Sequence, residues 1–364
     1  MRILMTARRW APDVRSGTET VFENLWMEAK RAGHDVRLVV GYRNSPAGFP
    51  PEAVAVDLRG GGVSAYATME RAAVAEARRF RPDVVLSNSI EVRVPGLRNV
   101  IIVHDLNFGQ SFGGSFGLNF GAARSNSLAH RARELVYRAQ GLSGATIVAV
   151  SEATAQRLAA IGLKSVVIGN GVDVQRFHAR DAVSDGTIRF VYPSRMLPGK
   201  GQHLALDAFG RLRPDQRKGW ELVLVGASAD PDYVGQLRVQ ALAGTLNASS
   251  VSIVTDVPDM VPWYQRADVV LFPTRMEEGF GFTAVEGMAC GKPVIWSEQP
   301  AIREATGGIG VPVAVDDVEG LKQAMWRLGT HPEERARLGS AGRAYVERYA
   351  WPAVWRRYEA VLRS

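Results

Sequence analysis

The sequence predicts an α/β protein built from two doubly wound, parallel-sheet domains in tandem, and three observations predict it. Short apolar runs alternate with longer stretches of helical periodicity along the whole chain. Those runs are nearly continuous in apolar residues, the pattern of strands covered on both faces. The pattern then restarts near residue 185, after a polar segment without periodicity at 179–186. The 364 residues exceed one typical domain and fit two. The expected division is 1–180 and 181–345, with a closing helix at 346–364.

In the first half the strands are expected at 2–6, 35–41, 83–87, 99–103, 145–150 and 165–168. Residues 18–32 form the first expected helix, with Val21, Phe22, Leu25, Trp26 and Ala29 at helical spacing and Gly33 placed to stop it. In the second half the strands are expected at 187–192, 221–226, 250–254, 268–272 and 293–296. Doubly wound sheets bind ligands at the carboxyl ends of their strands, so two such domains are expected to place their ligands in a central cleft. Residues 107–126, rich in Gly, Phe, Asn and Ser, read either as a loop over the first domain's cleft or as an ordinary surface loop.

Hydrophobic residues make up 46% and charged residues 22% of the chain, enough for a core in each half. A single cysteine, Cys290, excludes an intrachain disulfide and a cysteine-based zinc site, and suits a reducing compartment. Residues 1–6 lack the long apolar core of a signal peptide, and no run approaches the ~20 apolar residues of a membrane span. A cytoplasmic protein is the expectation. The net charge of +7 is uneven: residues 1–180 carry 23 Lys/Arg against 15 Asp/Glu, and residues 181–364 carry 21 against 22. A basic first half suits an acidic partner, either an anionic membrane surface or a phosphorylated acceptor. General arginine richness is the competing explanation.

The chemistry concentrates in two segments. Arg195-Met196-Leu197-Pro198-Gly199-Lys200-Gly201 lies between an expected strand and an expected helix. Free backbone N–H groups, the positive helix end and two cations would together hold a diphosphate. Glu278-Gly279-Phe280-Gly281-Phe282-Thr283-Ala284-Val285-Glu286 follows the expected strand at 268–272. The two glycines permit close backbone approach to a ligand. Glu286 falls one turn into an otherwise apolar helix, where a carboxylate needs a partner: a diol, or a nearby arginine.

These motifs together resemble the retaining glycosyltransferases of family 4, which have the GT-B fold: two Rossmann-like domains facing a central cleft. The resemblance is strongest from 195 to 294, where Arg and Lys are separated by four residues and two Glu by seven. In the first half it rests on Ser16-Gly17-Thr18-Glu19, where the family has two adjacent glycines, and on His104-Asp105, Ser151-Glu152 and Asn170-Gly171-Val172-Asp173. The end of the chain, from Tyr349-Ala350-Trp351, resembles the family's closing helix, which crosses back to the first domain.

The resemblance implies a hexosyl transfer from a nucleotide diphosphate sugar to a hydroxyl acceptor with retained anomeric configuration. The acceptor would be a polysaccharide, a lipid-linked glycan or a natural product. Arg195 and Lys200 would hold the diphosphate and stabilise its departure, which leaves no role for a metal or other cofactor. Glu286 would bind the ribose and Glu278 the transferred sugar, with Gly17, Gly279, Phe280, Gly281, Phe282 and Thr283 lining the donor and Val257 meeting the base. His104 would meet the sugar near the reacting centre, and Asp105, Ser151 and Asn170 are acceptor-side candidates. The expected partners are the donor, the acceptor and an anionic membrane surface, and not nucleic acid. A non-hydrolysing nucleotide-sugar epimerase and a non-catalytic nucleotide-sugar-binding subunit are the alternatives.

Overall fold

The computed structural model describes residues 1–10, 17–59, 62–88, 92–104, 144–180, 185–242 and 250–364. The chain forms two compact units, Met1–Gly171 with Trp351–Ser364, and Val172–Ala350. Each is organised on its own parallel sheet.

In the first unit the strands are β1 (Arg2–Ala7), β2 (Asp35–Tyr42), β3 (Ala53–Asp57), β4 (Val84–Ser87), β5 (Arg98–Val103), β6 (Thr146–Ala149) and β7 (Val166–Val167). They lie in the order β3-β2-β1-β4-β5-β6-β7. The order reverses direction between β1 and β4, whose register pairs Ile3 with Val84 and Thr6 with Ser87. Helix α1 (Gly17–Arg31) buries Val21, Phe22, Leu25 and Ala29 of the predicted apolar face, with Trp26 half-buried. Helix α2 (Gly62–Phe80) packs Met69 and Ala73 onto Leu4, Val39 and Val85 of the sheet. Helix α3 (Glu152–Ala160) follows β6.

The second unit carries β8 (Ile188–Pro193), β9 (Trp220–Gly226), β10 (Val251–Thr255), β11 (Val269–Phe272), β12 (Val294–Ser297) and β13 (Val311–Val313), in the order β10-β9-β8-β11-β12-β13. Its reversal falls between β8 and β11, where Phe190 pairs with Val269 and Val191 with Val270. The helices are α4 (Gln202–Gly210), α5 (Pro231–Leu242), α6 (Val261–Arg266), α7 (Phe282–Ala289), α8 (Pro300–Thr306), α9 (Val318–Thr330) and α10 (Pro332–Val346).

Two strands escaped the sequence reading, β3 and β13, and both are sheet edges. β3 buries only Val56 fully, and β13 is three residues long with Pro312 at its centre. An edge strand tolerates proline and has fewer buried positions, so neither gives a continuous apolar run.

The division between units falls at Gly171–Val172 and Ala350–Trp351, rather than at 180 and 345. Residues 172–178 are tied into the second unit. The Val172 N–H donates to Tyr349 O at 2.8 Å, Arg176 pairs with Asp259 at 2.7 Å, and the Phe177 ring meets Tyr264 edge-on at 5.6 Å. Helix α11 (Trp351–Arg363) belongs to the first unit, where it buries Trp355, Tyr358 and Leu362. Arg98 of β5 donates to Leu362 O at 3.1 Å, Arg357 to Val167 O at 2.7 Å, and Glu359 reaches His34 at 3.2 Å.

Where Gly171 meets α11, the Trp351 ring leaves no room for a side chain: a Cβ on Gly171 would lie 2.4 Å from the ring. Gly171→Ala is therefore expected to destabilise the first unit by about 1–3 kcal/mol, the usual cost of overpacking. A lower thermal midpoint in calorimetry is the expected result; an unchanged midpoint would show that the ring can shift without cost.

Candidate functional site

The reversal between β8 and β11 places the carboxyl ends of two neighbouring strands side by side, the position at which doubly wound sheets bind ligands. The loop after β8 carries Arg195 and Lys200, and the loop after β11 carries Glu278. They are knitted together at Gly199, whose carbonyl accepts the N–H groups of Arg275 at 2.9 Å and Met276 at 2.8 Å. Gly201 has a left-handed backbone, φ 76°, and a Cβ there would lie 2.4 Å from Pro273 O. Only glycine combines that conformation with so close an approach.

This arrangement joins the two motifs. Lys200 Nζ contacts Glu278 Oε1 at 2.5 Å, with both side chains largely buried. Lys200 Nζ also lies 5.7 Å from the centre of the Phe272 ring. Thr274, fully buried, donates its hydroxyl to the same Glu278 oxygen at 3.0 Å. Arg195 is exposed on the loop, and its carbonyl accepts from buried Gln202 at 2.8 Å.

Sequence reasoning missed Gln299. This buried residue follows β12 and makes three hydrogen bonds to one loop. Its Oε1 accepts the Glu278 N–H at 3.0 Å, and its Nε2 donates to Thr274 O at 3.1 Å and Met276 O at 2.9 Å. One amide thus fixes the loop that presents Glu278. The available signal was a polar residue just past a buried strand beside the reversal point.

Glu278 and Glu286 lie in different surroundings. Glu286, in α7, is half-buried, and buried Tyr264 donates its hydroxyl to Glu286 Oε2 at 2.6 Å. Burial raises the Glu286 carboxyl to about 7, opposed by the Tyr264 hydrogen bond and by the charge of Arg176. Desolvation and the neighbouring carboxylate push the Tyr264 phenol up, so it stays a donor. Of the residues between, Gly279 is half-exposed and Gly281 precedes α7. Phe280 is packed, edge-on to Tyr349 at 5.3 Å and to Phe282 at 5.4 Å. Thr283 spends its hydroxyl on Pro193 O at 3.1 Å, so it braces α7 against β8. Val257 is half-buried in the loop after β10.

The first unit holds the remaining candidates. Gly17 opens α1 and is exposed, while Ser16 lies outside the described residues, as do Asp105 and the loop at 107–126. His104 follows β5, and its Nε2 lies 2.7 Å from Asn88 Oδ1. Burial lowers its imidazole to about 4. Ser151 is buried and caps α3, its Oγ accepting the Thr154 N–H at 3.1 Å. That geometry makes Ser151 the capping residue of α3. Asn170 is 1% exposed.

The Tyr264–Glu286 bond makes a measurable difference. Removing the hydroxyl that lowers the Glu286 carboxyl should raise its pKa above about 7. Carbon-13 NMR of labelled glutamate carboxyls is expected to show the Glu286 midpoint moving up in Tyr264→Phe; an unmoved midpoint would mean that the hydrogen bond does not form.

The profile for Glycosyltransferase Family 4 matches residues 15–176, and that for Glycosyl transferases group 1 matches residues 187–331. A lipopolysaccharide core biosynthesis mannosyltransferase of Rhizobium leguminosarum is 33% identical over 171 residues, 44% of this chain and 48% of the relative. A GDP-mannose-dependent monoacylated alpha-(1-6)-phosphatidylinositol monomannoside mannosyltransferase of Corynebacterium glutamicum is 30% identical over 217 residues, 54% of this chain and 55% of the relative. The chain thus spans about half the length of the curated relatives it matches. The crystal structure of Anabaena HepE in complex with UDP superposes with a TM-score of 0.76 at 19% identity, covering 100% of this chain and 99% of that one. The two profiles together take in both halves, and the chain belongs to the glycosyltransferases of family 4, with the two parallel-sheet domains of the GT-B fold.

Proposed function

We propose that this protein transfers a hexose from a nucleotide diphosphate sugar to a hydroxyl acceptor, with retention of configuration and without a metal ion. The observation that carries the reading is the junction of Lys200 and Glu278 at the strand reversal of the second unit, with Glu286 on the helix that follows. The relatives named above act with mannose, and the HepE neighbour is bound to UDP; both support a nucleotide-sugar donor.

In this reading Lys200 and Arg195 supply fixed positive charge where the leaving diphosphate gathers negative charge. Lys200 is a compact charge in a largely buried setting, and Arg195 is a planar fork on the exposed loop. The donor enters by competing with Glu278 for Lys200. Glu278, held by Thr274 and Gln299, then turns one carboxylate oxygen to the sugar hydroxyls. The N–H groups from Gly279 to Phe282 face the same ligand. Glu286 takes the ribose diol through the oxygen that Tyr264 leaves available. The departing phosphate receives the acceptor's proton, so no separate general base is assigned.

Loss of either cation removes a preorganised charge contact, worth roughly 10²-fold in rate or more. Lys200→Ala and Arg195→Ala should each lower kcat by about that factor with a verified donor, and wild-type activity should survive excess EDTA. Wild-type rates in both variants, or abolition by EDTA with rescue by Mn²⁺ or Mg²⁺, would overturn the reading.

The acceptor is proposed to be acidic and lipid-linked. The excess of basic residues is confined to the first 180 positions, and both named relatives build lipid-bearing glycans. No helix among the described residues is long and apolar enough to cross a membrane, so attachment would be peripheral. Vesicles containing anionic lipid should bind the protein at low salt and release it at high salt. Equal partitioning to neutral and anionic vesicles would refute the membrane part.

A further inference from the structure

The first unit has its own strand reversal, between β1 and β4, and Asn88 stands at its carboxyl end. The Asn88 N–H extends the ladder to Thr6 O at 2.9 Å. Its side chain reaches both ways: Nδ2 donates to the Thr18 carbonyl in the first turn of α1 at 3.2 Å, and Oδ1 lies 2.7 Å from His104 Nε2. Thr18 is itself fixed, with its hydroxyl on buried Glu19 at 3.0 Å.

Only one assignment of protons satisfies this chain of contacts. A carbonyl can only accept, so the Thr18 oxygen requires the NH₂ of Asn88 and turns Oδ1 toward the imidazole. With an acceptor at 2.7 Å, Nε2 must carry the proton. The opposite tautomer would set two lone pairs against each other, and flipping the amide to relieve them would do the same at Thr18. Burial keeps the ring neutral at pH 7, since His104 is lowered to about 4. Nδ1 is then a bare acceptor, and it is buried with no partner among the described residues. A buried acceptor without a donor is costly, and a ligand that donates to it removes that cost.

We infer that Asn88 is a positioning residue that holds His104 with its proton on Nε2, so that Nδ1 accepts a hydrogen bond from a ligand hydroxyl. The inference rests on the reading of His104 as a contact to the transferred sugar and adds the direction of that contact. A hydroxyl can donate to Nδ1; a phosphate oxygen, which only accepts, cannot. The contact therefore selects a hydroxyl of the ligand over its phosphates.

The test uses the full chain labelled with nitrogen-15 histidine, with His104 assigned by comparison with His104→Gln. Long-range proton–nitrogen correlation at pH 7 should show His104 protonated at Nε2 in the wild type and a mixture of tautomers in Asn88→Ala. Asn88→Asp keeps an acceptor opposite Nε2 but adds a negative charge, which should raise the imidazole pKa by roughly 1–3 units. Activity requires neutral His104, so it is present above that pKa and lost as pH falls through it. The acid limb of kcat should accordingly move up by the same amount in Asn88→Asp, while the affinity for the nucleotide diphosphate alone stays at the wild-type value. A wild-type proton on Nδ1, or an unchanged tautomer in Asn88→Ala, overturns the role of Asn88. Full kcat in His104→Gln with the expected tautomer overturns the hydroxyl contact and the reading of His104 on which it rests.

Discussion

The rest of the second unit depends on the parallel register of β8 and β11. Pairing Phe190 with Val269 sends two strands of the same direction into two loops that must leave the sheet together. Their winding diverges there, so the loops are not covered by the next crossover. The backbone meeting at Gly199 locks the Lys200 loop to the segment leading to Glu278. The first unit repeats the constraint between β1 and β4, and again polar groups gather at the open end: Asn88, Thr18 and, one strand over, His104.

A largely buried ion pair such as Lys200–Glu278 is poor evidence of stability by itself, because desolvation offsets the attraction. Its meaning lies in what accompanies it. Thr274 and Gln299 hold Glu278 in place with hydrogen bonds that do not depend on Lys200. The position of the carboxylate therefore does not rest on the cation alone. Glu286 is arranged differently, with a neutral phenol as partner and a carboxyl near 7. Two glutamates with seven residues between them thus meet different partners, a cation for Glu278 and a hydroxyl for Glu286.

Most of the fold was legible because buried parallel strands write continuous apolar runs, as in β4, with all four residues buried. The edges β3 and β13 were not, since partly exposed strands lack that signal. The candidate site was legible where a residue type stands at a fixed chain spacing, as at Lys200 and Glu278, which the structure brings into contact. It was illegible where the partner comes from another part of the fold. Gln299, Tyr264 and Asn88 are ordinary polar residues in the sequence, and only the sheet order brings them to Glu278, Glu286 and His104. Ser151, singled out beside a motif, is seen in the structure to cap a helix N-terminus.

The closing helix has a consequence for how the chain is made. Arg98 reaches its partner on Leu362 across 264 positions of sequence, and Trp351 covers Gly171 after the whole second unit has intervened. Synthesis runs from the first residue onward, so the second unit can complete its sheet while the first still lacks one of its helices. Until α11 emerges, the surface that will meet Trp355, Tyr358 and Leu362 has no cover. Contacts so distant in sequence form late and leave apolar surface exposed meanwhile. The unit translated first is thus the last to mature, and a chain halted after β13 has emerged but before α11 is made would carry a complete second sheet and an unfinished first unit.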